Sequence, residues 1–389
     1  MNFVFSGGQP LNLHVGWNEH TMPDVARPTD GSCMTADTSS SNPHAKVAAE
    51  ALEAALNAGF NRSSRTIPVP TTVSRTAQEW LVLYHRQSWL ESALKFLPSE
   101  MQPKEGRLRL SLEAFRTMGS GMRALAFEAS KALYPVNVEE GEIAGVPVFV
   151  VTPVDETPRR NAGRVLVNTP GNGFVLPVLT PIEAAPIANM LRVKVVTVRP
   201  RLAPEHPFPA AVDDVVAVVK RLSDSYDPNA MGIFGSSSGG LLAAQSVAKL
   251  VHSGLSTTGA LGILSSSGDM YTIGDTHYTN ADIDGSSDFL TGVELPPFYY
   301  SGSTPLVDPV LSPILSDLSR FPTTLIMSGT RDHMLSGSVL MHRALRRAKV
   351  QADLHVFEAM PHAHWYFGYL PESREAHEVV AEFFDRTLV

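Results

Sequence analysis

The run Met231–Val247, MGIFGSSSGGLLAAQSV, sets three hydroxyls side by side between glycines. A serine can serve as a nucleophile where a sharp strand-to-helix turn lifts its hydroxyl clear of a sheet. Such a turn leaves room only for small residues two positions before and two after it. Ser237 meets that demand, with Gly235 behind it and Gly239 ahead. Ser236 would have Phe234 behind it, and Ser238 would have Ser236 and Gly240, a poorer fit. MGIF has the composition of a buried strand, and GGLLAAQSVAKLV that of a helix opening at the turn. The plain alternative is a flexible Gly/Ser loop.

A nucleophilic serine needs a base to take its proton and an acid to orient that base. After Ser237, two further loops carry such groups, each following a short apolar run. TTLIMSG leads into TRDHML with Asp332, and ADLHVFE leads into AMPHAHW with His362 and His364. Taken singly, Asp332 could be a capping acid and either histidine an ordinary loop residue. Their order behind Ser237 favours the chemical reading. His362 and His364 also have the spacing of a metal-binding pair, but no third ligand accompanies them, so no metal is expected. GNGFVL, after a strand, imitates the start of a dinucleotide fingerprint; Leu176 stands where the third glycine is needed, so that reading is rejected.

The elements that must position these residues alternate. RVLVNTP, VKVVTVRP, MGIFGSS, GALGILSSS, TTLIMSG and ADLHVFE are short apolar or β-branched runs separated by helical patterns. PAAVDDVVAVVKRL, for example, places Val212, Val215, Val216 and Val219 on one face. Buried strands alternating with helices predict a mostly parallel sheet covered on both faces. VNVEEGEIAGVPVFVVTP predicts a strand pair turning at Ala144-Gly145. Upstream, helices are expected over PHAKVAAEALEAALNAGF and over TAQEWLVLYHRQSWLESALKFL, the latter opened by a Thr76/Glu79 capping box. A third lies within 110–134, broken at Gly119–Gly121. The domain reading is an irregular arm over 1–42, a helical cap region over 43–135 and a catalytic domain over 136–389. The polar, then aromatic stretch 268–310 breaks the alternation and has the length of a lid or binding loop.

Composition narrows the partners. The chain has 389 residues, 43% of them hydrophobic, enough for a sizeable core. A net charge of -8 without a long basic run argues against nucleic acid and anionic membranes. Cys33 is the only cysteine, which excludes an intramolecular disulfide and a cysteine zinc site. The N-terminus lacks a basic and apolar leader, and no apolar run is long enough to span a bilayer. A cytoplasmic location is therefore expected.

Several separated blocks resemble one family. RPRLAPEHPFPAAVDD, Arg199–Asp214, is similar to the Y-R-L-A-P-E-x-x-F-P-A-A-x-x-D block of hormone-sensitive-lipase-like (family IV) carboxylesterases, a branch of the α/β-hydrolases. GSSSGG resembles their G-D-S-A-G-G elbow. DPVLSPILSDL, GTRD and FEAMPH follow in the family's order, so the resemblance spans roughly 136–388. It implies an α/β-hydrolase fold with a mainly helical N-terminal cap. The implied activity is that of a serine carboxylesterase on short- to medium-chain acyl esters or lactones. Ser237 would be the nucleophile, Asp332 the acid and His362 the base, with no cofactor. An acyltransferase using the same acyl-enzyme and a non-catalytic ligand-binding member of the fold are the alternatives. The expected partner is a small-molecule ester, with a homodimer allowed.

Two departures from the family pattern stand out. Its H-G-G-G-F oxyanion loop is here PGNGF, Pro170–Phe174, so a bracing imidazole is missing and Asn172 replaces a glycine. By position, backbone N–H groups of Asn172, Gly173 and Ser238 would form the oxyanion hole. The Asn172 side chain is expected to enter the site or to alter acyl fit. At the elbow, Ser236 and Ser238 replace Asp and Ala, with Ser236 expected to brace a neighbouring loop. Phe174, Phe298, Tyr299 and Tyr300 are candidate pocket-lining residues, with core packing the competing role for each.

Overall fold

Continuous apolar runs become strands buried on both faces. β7 (Val165–Asn168), β8 (Lys194–Val198), β9 (Met231–Ser236), β10 (Ala260–Leu264) and β11 (Thr323–Gly329) are almost wholly buried. With β5 (Val136–Ile143), β6 (Val146–Pro153) and β12 (Ala352–Phe357) they form an eight-stranded sheet of order β12-β11-β10-β9-β7-β8-β6-β5. Pairing is parallel from β12 through β8, while β6 runs antiparallel to both β8 and β5. The β5–β6 hairpin turns at Ala144 and Gly145, both at positive φ (53° and 79°), the twist a two-residue hairpin needs.

The computed structural model describes residues 2–4, 10–12, 60–62, 65–86, 111–272, 274–285, 293 and 295–389. It divides into two compact units, 1–49 and 50–389. In the first, β1 (Asn2–Val4) pairs antiparallel with β2 (Pro10–Asn12). The second contains a short hairpin of β3 (Phe60–Arg62) and β4 (Arg65–Ile67) and the eight-stranded sheet with its helices. The helix expected near 43–59, and the second half of that expected over 76–97, lie outside the described residues.

Helices cover both sheet faces. α4 (Ala210–Leu222), α5 (Ser238–His252) and α8 (Leu335–Arg347) bury Val212, Val219, Leu241, Val247 and Met341 against one face. α3 (Ala184–Leu191), α9 (Pro371–Thr387) and α1 (Arg75–Arg86) cover the other with Ile187, Phe383, Phe384 and Leu81. α2 (Leu112–Leu133) packs Phe115 and Met118 on Val175 and Leu176, just after β7. Among the described residues no helix is long and apolar enough to cross a membrane.

Two local expectations change. α2 runs without a break through Gly119–Gly121. A Cβ on Gly119 would lie 2.9 Å from the Leu176 methyls, so this glycine lets the helix approach the body. Helical packing along α2 outweighs the roughly 1 kcal/mol that a mid-helix glycine costs. α1 is capped by Ser74, whose hydroxyl accepts from the Ala77 N–H at 3.1 Å; Glu79 instead pairs with Arg75. The capping oxygen therefore sits two residues earlier than the Thr76/Glu79 pattern implied.

The strand order reverses at β7, which lies between β8 and β9. Asn168 pairs in register with Phe234, so the segments leaving β7 and β9 emerge side by side. In open α/β sheets the crevice beyond such carboxyl ends is where ligands bind. β10, β11 and β12 end next along the same edge, with Leu264 beside Met327 and Gly329 beside Phe357. Every sequence-predicted site segment thus leaves one edge of one sheet.

Phe384 tests the packing beneath that edge. Its ring meets Phe234 at 5.7 Å, and a Cβ on Gly232 would lie 2.6 Å from it. Phe384→Ala is expected to cost about 3–5 kcal/mol of stability, read by urea unfolding.

Candidate active site

Ser237 stands between β9 and α5 with φ 56° and ψ −130°, a conformation few non-glycine residues hold. A Cβ on Gly235 or on Gly239 would run into the carbonyl oxygen of Thr169, far inside contact distance. The same neighbour therefore demands both glycines. Thr169 also ties the turn down, its hydroxyl donating to Gly239 O at 2.8 Å. Ser237 is held at both backbone ends: its N–H donates to Leu264 O at 2.8 Å, and Ser266 Oγ donates to its carbonyl at 2.6 Å.

Asp332, fully buried, lies beyond β11. Its Oδ1 stands 3.0 Å from His362 Nδ1 and accepts the Met334 N–H at 2.9 Å, while Oδ2 accepts from Ser328 Oγ at 2.8 Å. Burial alone would push this carboxyl up. The neighbouring His362, with His333 and the Ser265 hydroxyl, outweighs burial and holds it well below the usual carboxylate range. The segment carrying His362 is stitched to the elbow. The Ala363 N–H donates to Ser265 Oγ at 3.1 Å, and Trp365 Nε1 donates to Ser236 Oγ at 3.0 Å. Ser236 thus braces a neighbouring loop, with Trp365 as its partner.

His364 turns the other way. It is fully buried beside Phe357 and Trp365, with ring centroids 5.0 and 5.1 Å away, and burial pushes its pKa down to about 4. A metal pair with His362 does not form. Among the described residues, the group whose ligand-type atoms do converge, all within 4.8 Å, is Asp284, Asp332, His333 and His362. These atoms are already joined as two imidazole–carboxylate pairs, His362–Asp332 and His333–Asp284.

The 170–174 loop is braced without the family's histidine. Glu183, buried at the start of α3, accepts the Gly171 N–H at 2.8 Å and Asn168 Nδ2 at 3.1 Å, and Tyr366 OH donates to it. Arg123 of α2 donates to the Gly171 carbonyl and lies over the Tyr366 ring at 5.8 Å. The loop presses on the elbow: a Cβ on Gly171 would come within 3.1 Å of Ser237 Cβ.

The Asn172 side chain does not enter the site. It folds back, Oδ1 accepting the Phe174 N–H at 2.8 Å and Nδ2 donating to Leu176 O at 3.1 Å. The Asn172 N–H donates to Ser238 Oγ at 2.9 Å, and Ser238 Oγ lies 3.1 Å from Asn172 Oδ1. The two departures from the family pattern are therefore bonded to each other.

The aromatic candidates divide. Phe174 stacks on Tyr300 at 3.5 Å, and both are buried; Tyr300 OH also bonds Gln245, so the pair packs the core. Tyr299 OH donates to Gly173 O at 3.1 Å, and Phe298 is 65% exposed. The 199–214 segment joins these parts. Its Ala203 N–H donates to Phe174 O at 2.9 Å and its Phe208 N–H to Tyr300 O at 2.6 Å. Arg116 of α2 clamps Glu205 at 2.7 Å, which lowers that carboxyl to about 2. Glu183, Tyr366, Trp365, Asp284 and His333 escaped the sequence reading. None lies at a diagnostic spacing from the elbow, although His333 directly follows Asp332.

Strand order, an elbow serine and an aspartate–histidine pair at one sheet edge define an α/β-hydrolase. A family model described as alpha/beta hydrolase fold matches residues 177–366. An acetyl-hydrolase of Streptomyces hygroscopicus is 27% identical over 266 residues, 67% of this chain and 88% of that protein. A versiconal hemiacetal acetate esterase of Emericella nidulans is 26% identical over 249 residues, 60% of this chain and 83% of its own length. The crystal structure of esterase E25 superposes with a TM-score of 0.71 and 29% identity, covering 85% of this chain and 99% of that one. An esterase of the bacterial hormone-sensitive lipase family gives 0.64 and 25%, over 78% and 99%. The chain thus has the α/β-hydrolase fold and is similar to esterases of the hormone-sensitive lipase family.

Two outcomes follow from these bonds. Glu183→Gln removes the charged acceptor shared by three donors. It is expected to lower stability by about 1–3 kcal/mol and to speed amide exchange at Gly171, read by hydrogen-exchange mass spectrometry. Burial pushes His364 to about 4 and His377 to about 3, whereas both titrate near ~6.5 when unfolded. Below that pH the unfolded chain binds protons that the folded chain refuses, so stability falls as pH falls from about 6.5 to 4. His377→Gln is expected to flatten that slope in urea unfolding at successive pH values.

Proposed function

We propose that this protein is a serine carboxylesterase that hydrolyses short- to medium-chain acyl esters, lactones included, through an acyl-enzyme on Ser237. The observation that carries the reading is the strained elbow serine at the same sheet edge as a buried aspartate bonded to a histidine. Relatives named acetyl-hydrolase, acetate esterase and esterase support ester hydrolysis, and the first two support a short acyl group.

Ser237 Oγ attacks the ester carbonyl carbon, and His362 takes the serine proton at Nε2. Asp332, bonded to Nδ1, holds the imidazole in the tautomer that leaves Nε2 basic and stabilises the imidazolium that forms. His362 then returns the proton to the leaving alkoxide, and the alcohol departs. Water, deprotonated by the same imidazole, attacks the acyl-enzyme and releases the acid. Backbone N–H groups of Gly173, Ser238 and Asn172 receive the developing oxyanion. The Asn172 N–H exchanges the Ser238 hydroxyl for that oxyanion as its acceptor. Tyr299 and Phe298 border the acyl group, while Phe174 and Tyr300 support the loop from behind. α2, in a cap region over 43–135, and the described residues of the 268–310 stretch, an insertion within the catalytic domain over 136–389, roof the site.

A fluorophosphonate probe is expected to label Ser237, located by peptide mass mapping. Ser237→Ala and His362→Ala are expected to lower p-nitrophenyl acetate turnover by ~10,000-fold or more. His364→Ala, a change in the core, keeps turnover per labelled serine near wild type. Turnover that survives His362→Ala and vanishes in His364→Ala overturns the assignment of the base.

A further inference from the structure

The loop that carries His362 is unfavourable on its own. Ala359 and Ala363, at its two ends, both adopt left-handed φ (58° and 51°), where a side chain crowds the backbone. Such a loop keeps its shape only if its surroundings impose it. Three backbone N–H groups supply the hold, each bonded to a different part of the fold. The Ala359 N–H donates to Thr330 Oγ1 at 2.7 Å, in the loop after β11. The Ala363 N–H donates to Ser265 Oγ, at the end of β10. The middle one, the N–H of His362 itself, donates to Asp284 Oδ1 at 3.2 Å.

Asp284 is the charged member of this set, and it is fully buried. It closes the short helix α7 (Ala281–Asp284), which follows α6 (Thr276–Thr279) in the insertion between β10 and β11. Its other oxygen, Oδ2, accepts the His333 N–H at 2.6 Å and pairs with His333 Nδ1. His333 directly follows Asp332. One carboxylate therefore grips the backbone next to the acid and the backbone of the base. The 3.0 Å Asp332–His362 bond lies between those two grips. The His333 ring lies 4.8 Å from the His362 ring, so Asp284 also sets a countercharge beside the only other imidazole in that cluster.

We propose that Asp284 is a positioning residue for ester hydrolysis: by bonding both loops at once it sets His362 against Asp332 in the orientation that serves Ser237. The proposal rests on the roles given to Ser237, Asp332 and His362 above. The insertion thus supplies a clamp behind the reacting groups in addition to the roof over them. An error of about 1 Å in such a constellation can cost ~100-fold in rate, while ground-state binding of a small ester hardly senses it.

Wild type, Asp284→Ala and Asp284→Asn are assayed on p-nitrophenyl acetate. Turnover is divided by the serine titrated to completion with a fluorophosphonate, and melting temperature is followed in parallel. Asp284→Ala is expected to lose about 10- to 100-fold in kcat per titrated serine, with KM within about twofold of wild type. Asp284→Asn, nearly isosteric, keeps an acceptor for the His362 N–H but turns its amide toward His333. It is expected to fall between the two, and it carries the test if the alanine variant does not fold. A purely structural role would lower the titrated fraction or the melting temperature and leave kcat per titrated serine unchanged; that result in Asp284→Asn and in any folded Asp284→Ala overturns the proposal. Wild type that neither turns over the ester nor takes up the probe overturns the esterase reading itself, and this proposal with it.

Discussion

The contact on which the site depends is the Thr169 carbonyl oxygen pressed into the turn between β9 and α5. It allows no side chain at either Gly235 or Gly239. With both positions bare, the chain can reverse in one residue, and that residue, Ser237, takes φ 56°. A conformation of this kind costs about 1–3 kcal/mol. Bonds from Leu264, Ser266 and Thr169 to the turn offset that cost. The same closeness brings the 170–174 loop onto the elbow, since both leave neighbouring strands β7 and β9. Strand pairing, turn geometry and the juxtaposition of serine and backbone donors thus share one origin.

Buried charge is concentrated around this edge, and each carboxylate there meets several donors. Glu183 serves Gly171, Asn168 and Tyr366; Asp332 serves His362, Met334 and Ser328; Asp284 serves His333 and His362. An ionised group out of water is tolerated only with such partners. Used this way, the carboxylates tie the backbone of the loops at this edge to neighbouring elements. The loop beginning at Pro170 is held in the same way: Glu183 accepts the Gly171 N–H, Arg123 donates to the Gly171 carbonyl, and Ser238 with Asn172 joins the loop to the helix.

The legible parts of the structure were those written in short spacings. Apolar runs of four to seven residues, such as VLVN and TTLIMSG, became the buried strands. Two glycines flanking a serine at two residues marked the elbow, because the steric demand acts within one turn of chain. Gly119 was misleading for the opposite reason. In sequence a glycine within a helical pattern signals a break, but here the Leu176 side chain occupies the space beside it, and only packing reveals that. Tyr300 and Phe174 looked equally fit to line a pocket or to fill a core. Their stacking on each other, and the bond from Tyr300 to Gln245, make them core.

By itself the sequence determined the order of strands and helices, the frame of the elbow and the order of Ser237, Asp332 and the two histidines along the chain. These are local or sequential properties, set by periodicity and by sterics over a few bonds. The tertiary structure decided which histidine meets Asp332, what braces the 170–174 loop, and that the insertion reaches both loops. Each of those depends on partners far apart in the chain: Glu183 and Tyr366 are 183 residues apart, Asp284 and His362 78 apart. No spacing rule links such pairs. They become neighbours because a parallel sheet gathers the ends of its strands at one edge, whatever length of chain separates them.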